Sequence, residues 1–168
     1  IPRVAQYFAM DNVEVIQRAV GLAELDHLPT SDFLLHLNVL HHAGYDFDAS
    51  LVPDKSDFAS YARQYLSHLR KRATAMLFQM GSNWGGDKNQ PLVGVHADLE
   101  KLRMFSGWLH DAGWCLSMVA YPNRQANSAV RYENLSMDIC RELNDGVASE
   151  PQTHDAFQGF NLDDFPGE

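Results

Sequence analysis

The chain has 168 residues, 45% of them hydrophobic and 11% aromatic, with a formal charge of −9. That length corresponds to about one domain, and the apolar supply excludes a chain disordered throughout. No apolar run approaches the roughly 20 residues of a membrane-spanning helix, and the acidic balance argues against a general nucleic-acid binder, which needs surplus Lys and Arg.

Two cysteines, Cys115 and Cys140, are too few for a disulfide scaffold and have no zinc-type spacing, so a reducing compartment is expected. The chain opens Ile1-Pro2-Arg3 without Met and without a basic, apolar leader. This reads as a mature, processed protein or an excised domain.

Taken in order, the elements read as helices. Val13, Ile16, Val20 and Ala23 recur at helical spacing after the cap candidates Asp11 and Asn12, and Pro29 ends the segment. Thr30 caps a second run with Phe33, Leu37 and Leu40 on one face, stopped by Gly44. A short helix is expected from Asp46 to Leu51. The third helix places Phe58, Ala62, Tyr65, Leu69, Ala73, Met76 and Met80 in one stripe after the cap candidate Ser56. Its other face carries Arg63, Arg70, Lys71 and Arg72, and Gly81 closes it. A polar loop over residues 81–94 follows, an Ω-like connector in which Trp84 packs down.

Leu99, Leu102, Phe105 and Leu109 predict a fourth helix ending at Gly113. Trp114 to Ala120 reads as a fifth, stopped by Pro122. Ala129, Tyr132, Ile139 and Leu143 mark a sixth, ending near Gly146, with Cys140 as a small core residue. The expected class is therefore all-α, with about six helices over residues 1–146. Beyond Arg141 there is no Lys or Arg, while Asp145, Glu150, Asp155, Asp163, Asp164 and Glu168 follow. Residues 147–168 read as an extended acidic tail in which Phe157, Phe160, Leu162 and Phe165 are the candidate partner-binding residues.

Leu40-His41-His42-Ala43-Gly44 and Leu109-His110-Asp111-Ala112-Gly113 share a pattern, with their glycines 69 positions apart. That is about twice the period of helical-hairpin repeats. Pro29-Thr30-Ser31-Asp32-Phe33-Leu34, the Ala43-Gly44 corner and Ala49 resemble a pentatricopeptide repeat, well over residues 29–53 and loosely over 95–121. There Met118 stands where the small residue belongs.

With its size and acidity, the chain resembles the pentatricopeptide-like accessory subunits of the mitochondrial ATP synthase catalytic head. The resemblance implies degenerate helical hairpins and a non-catalytic structural role in the mitochondrial matrix. It also implies docking on the α subunits in support of ATP synthesis, without a cofactor. The alternative is a small pentatricopeptide-like RNA-binding adaptor.

The remaining chemistry is thin. His36, His41 and His42 lack the spacing of four that puts two imidazoles on one helix face, and His110 with Cys115 completes no ligand set, so no metal site is expected. Gly81-Ser82-Asn83-Trp84-Gly85-Gly86-Asp87-Lys88 lacks the Gly-Lys-Ser/Thr ending of a phosphate loop. Ser106 and Cys115 have no recognisable His partner, and Asp163 with Asp164 lies in the tail. No catalytic residue is expected, and Asn134-Leu135-Ser136 is read as an incidental glycosylation match.

Overall fold

The computed structural model describes residues 19–92, 98–124 and 130–145. In chain order they form α1 (Leu22–Leu25), β1 (Ser31–Leu37), α2 (Phe58–Arg70), β2 (Ala73–Gln79), α3 (Asp98–Asp111), β3 (Ala120–Arg124), β4 (Val130–Asn134) and α4 (Met137–Asp145). Single 3₁₀ turns lie at Leu40–His42, Lys55–Asp57 and Trp84–Gly86. The all-α expectation is overturned: the described residues hold four helices and four strands.

β1 and β2 pair in parallel, with Ser31 opposite Ala73 and Leu37 opposite Gln79. Two parallel strands need a crossover, and α2 supplies it. β3 and β4 pair antiparallel as a separate two-stranded sheet, with Ala120 opposite Asn134.

Each misread segment has a physical reason. Phe33 and Leu37 are four apart, which suits one face of a helix and equally one face of a strand. The strand wins because Ser31–Leu37 finds a hydrogen-bonding partner in Ala73–Gln79. The third stripe stops at Arg70, where the Lys71 N–H donates to the His68 carbonyl and the Arg72 N–H to the Leu69 carbonyl. Ala73 and Met76, expected on that helix, belong to β2, and Met80 lies just beyond it. The cap also differs: the Asp54 carboxylate, not Ser56, accepts the Ser56 N–H at 2.8 Å and starts the turn leading into α2. Residues 114–119 are not helical. The sixth stripe is divided between β4, which holds Tyr132, and α4; Val13, Ile16 and Ala129 lie outside the described residues.

The repeat and its hairpins dissolve with the second helix. Gly113 does close α3, at φ +84, with the Gly113 N–H on His110 and the Trp114 N–H on Leu109. Gly44 instead sits in the loop after β1, Gly81 follows a strand, and Ala49 is exposed where a hairpin would bury it.

The core lies between α2, the inner face of the β1–β2 sheet and α3. α2 buries Phe58, Tyr61, Ala62, Tyr65, Leu66 and Leu69, against which Leu34, Met76 and Phe78 pack from the strands. Trp108, Leu109 and Trp114 close the α3 side, and the Trp114 indole N–H donates to the Leu66 carbonyl at 3.0 Å. A smaller cluster of Leu135, Ile139, Cys140 and Leu143 sits under α4. The Asn144 side chain ties α4 to Leu116, accepting its N–H at 2.7 Å and donating to its carbonyl at 2.8 Å.

The three arginines on and just after α2 are engaged within the fold. Arg63 reaches Asp111 on α3 at 2.8 Å, and Arg72 approaches Asp26 at 3.5 Å. Arg70 donates to the Gly113 and Ala73 carbonyls and lies over the Trp114 ring.

Candidate functional site

Two features of the β1–β2 unit stand apart from ordinary packing: its carboxyl edge and its outer face. At the carboxyl edge of parallel strands, loops converge and ligands commonly bind. Here the loops after β1 and β2 are locked together. The Trp84 indole N–H donates to the Ala43 carbonyl at 2.7 Å, its ring stands edge-on to Tyr45, and the Gly81 N–H donates to His41 Nδ1 at 3.3 Å. Trp84 thus packs down as the sequence predicted, in a loop closed by Trp84 N–H to Gln90 and Leu92 N–H to Ser82.

Three histidines occupy this edge. His36 is 6% exposed, stacked on Phe78 and tilted against Tyr65, and its Nε2 has no hydrogen-bond partner. Burial pushes its pKa down to about 4. His41 is held down to about 4 as well, by burial and then by the neighbouring His42. Both rings are neutral at pH 7, and since His41 Nδ1 accepts from Gly81, its proton sits on Nε2. His42 Nδ1 lies 2.9 Å from the exposed Asp46 carboxylate. A carboxylate orienting an imidazole is half of an acid–base device. Among the described residues, no group of three His, Cys, Asp or Glu side chains could hold a metal ion.

The depressed histidines make stability depend on pH. The unfolded chain protonates each ring as pH falls through about 6.5, whereas the folded chain resists until about 4. Between those values the unfolded state binds more protons, so stability is lost as pH falls, by up to about 3 kcal/mol for His36 alone. Urea unfolding at pH 7 and pH 4.5 checks this. His36→Phe keeps the aromatic stack and removes the orphaned nitrogen, so it should lose less stability than the parent over that interval. Equal losses would place the acid sensitivity elsewhere.

The outer face of the sheet is the second feature. Leu34, His36, Met76 and Phe78 turn toward α2, which leaves Phe33, Leu35 and Leu37 with Ala75 and Leu77 on the other side. Phe33 is 56% exposed, Leu35 61%, Leu37 42% and Leu77 48%. Parallel strands normally have both faces covered. This strip is apolar and carries no charge. Sequence reasoning missed it because a helix was expected there; the signal was the run Phe33-Leu34-Leu35, with large apolar residues at successive positions, as in a strand covered on both faces.

The expected partner-binding residues Phe157, Phe160, Leu162 and Phe165 lie outside the described residues, as do Asp163 and Asp164. Ser106 is buried and donates to the Arg103 carbonyl at 2.9 Å, as a helix hydroxyl commonly does, while Cys140 is buried in the small core and Cys115 is exposed. No helix among the described residues is long and apolar enough to cross a membrane. No protein-family model, curated protein or solved structure matches the chain.

Proposed function

We propose that the protein is a non-catalytic structural subunit that docks on a larger protein complex through the outer face of the β1–β2 sheet. The observation that carries this reading is the row of exposed Phe33, Leu35, Leu37 and Leu77 on a parallel sheet. Burying one such side chain is worth about 1.5–3 kcal/mol, so the strip supplies docking energy.

In its specific form the proposal names the mitochondrial ATP synthase head, through its α subunits, with a role in support of ATP synthesis. That form rests on the sequence resemblance alone, because the residues that carry it, Pro29 to Ala49, form a strand and loop rather than a hairpin. The RNA-adaptor alternative is disfavoured by the arginines on and just after α2. Arg63, Arg70 and Arg72 are engaged within the protein and are poorly placed to track phosphates.

Purification of the tagged protein from its source, with mass spectrometry of its companions, tests both levels. Recovery of α and β subunits at a fixed ratio is expected. Leu35→Asp should leave stability within about 0.5 kcal/mol, since the side chain is exposed, and should weaken association about tenfold or more. Undiminished recovery of the variant would remove the face from the proposal. A fixed-ratio complex without ATP synthase subunits would remove the named partner.

A further inference from the structure

We infer that in the free protein the β1–β2 outer face is covered by the chain's own residues 151–168, which the docking partner must displace. This rests on the docking reading above and adds a regulatory contact to the same face.

The size of the strip selects a short occupant. From Phe33 to Leu37 is about 13 Å at strand rise, and the two strands lie about 5 Å apart. Such a strip offers a few hundred Å² of apolar surface. A stable interface between two proteins buries about 800 Å² on each partner, so a second copy, like any docked complex, would need contacts beyond the strip. One segment of chain fits.

Composition then chooses the segment. Residues 151–168 bring Phe157, Phe160, Leu162 and Phe165, with Asp155, Asp163, Asp164 and Glu168 and no Lys or Arg. At the amino edge of the same sheet, Arg70-Lys71-Arg72 runs directly into β2. Arg70 and Arg72 are engaged elsewhere, but Lys71 is exposed and makes no ion pair among the described residues. Asp163 and Asp164 lie between Leu162 and Phe165, so the tail combines apolar anchors with carboxylates, and the sheet combines an apolar strip with an exposed lysine two residues before β2. Residues 1–18 offer no such match, since Arg3 and Arg18 balance Asp11 and Glu14. Reach is ample. The 12 positions from Asp145 to Phe157 span up to about 40 Å, against about 30 Å across a small domain.

The test uses the full chain with the photocrosslinker p-benzoylphenylalanine in place of Leu35, irradiated in dilute solution and mapped by peptide mass spectrometry. Leu35 is exposed, so the replacement leaves the core intact. Intramolecular adducts within residues 157–165 are expected. Phe160→Asp should lower their yield about tenfold, and Lys71→Glu about two- to fivefold, an effect that high salt removes. Adducts to residues 1–18 or elsewhere in the chain, a cross-linked dimer, or no adduct at all would overturn the inference. The docking reading would survive such a result, because co-purification of Leu35→Asp tests it separately.

Discussion

Gly44→Val should cost about 3–5 kcal/mol of folding stability, a third or more of what a small domain commonly has. Gly44 adopts φ +92, in the left-handed region that a β-branched residue avoids. A Cβ there would lie 2.7 Å from the Val52 carbonyl oxygen and 2.8 Å from Trp84 Cζ2. Neither neighbour gives way easily. The carbonyl belongs to a residue that is fully buried, and the indole is pinned by its hydrogen bond to Ala43. Gly44→Ala keeps part of the strain and should lose roughly half as much. Urea unfolding of both variants gives the comparison. A Gly44→Val midpoint equal to the parent's would mean that the loops after β1 and β2 do not close on one another at this corner.

Asp48→Ala is expected to cost about 2–4 kcal/mol. The Asp48 carboxylate accepts the Leu22 N–H at 2.6 Å and a short hydrogen bond from the Tyr61 hydroxyl. One side chain thus ties the loop after β1 to the start of α1 and to α2. Burial, then the hydrogen bond and charge of Asp48, raise the Tyr61 pKa far above the usual tyrosine range, so the phenol stays a donor at every working pH. Without the carboxylate, a phenol on a buried tyrosine and a backbone amide both lose their acceptor. Asp48 itself has φ +53, which Asn tolerates well, so Asp48→Asn should be milder. In a thermodynamic cycle, Tyr61→Phe combined with Asp48→Ala should cost less than the two single changes summed. Strict additivity would show that the hydroxyl and carboxylate do not share a bond that matters.

The pattern of what the sequence reveals follows from how local each signal is. α2 was legible from Phe58 to Leu69 because a core-facing helix repeats its apolar residues within its own turns. α3 was legible through Leu109 and the Gly113 stop, because a helix end is written in a glycine two residues beyond it. α4 disclosed Ile139, Cys140 and Leu143 in the same way. β1 gave no alternation to find, since the apolar residues of a parallel strand run almost continuously. Its partner β2 lies 42 positions away in the pairing of Ser31 with Ala73, beyond any window of periodicity. Pro122 concealed β3, because proline inside a run argues against a strand unless it lies at an edge.

The candidate site was less legible still. Trp84 could be expected to pack into its loop, but the histidines could be judged only by spacing along a helix that does not form. Their neutral state comes from burial, and burial is a property of the assembled fold. By itself the sequence determined the size, the acidic balance, the apolar faces of α2, α3 and α4, and the turn at Gly113. Each is set by interactions within a few turns of chain. Only the tertiary structure decided that Phe33, Leu35 and Leu37 lie on a strand, that His36 faces α2, and that the opposite face is exposed among the described residues. Those outcomes depend on strand pairing between distant segments, where backbone hydrogen bonds override a stripe that a helix would have satisfied equally well.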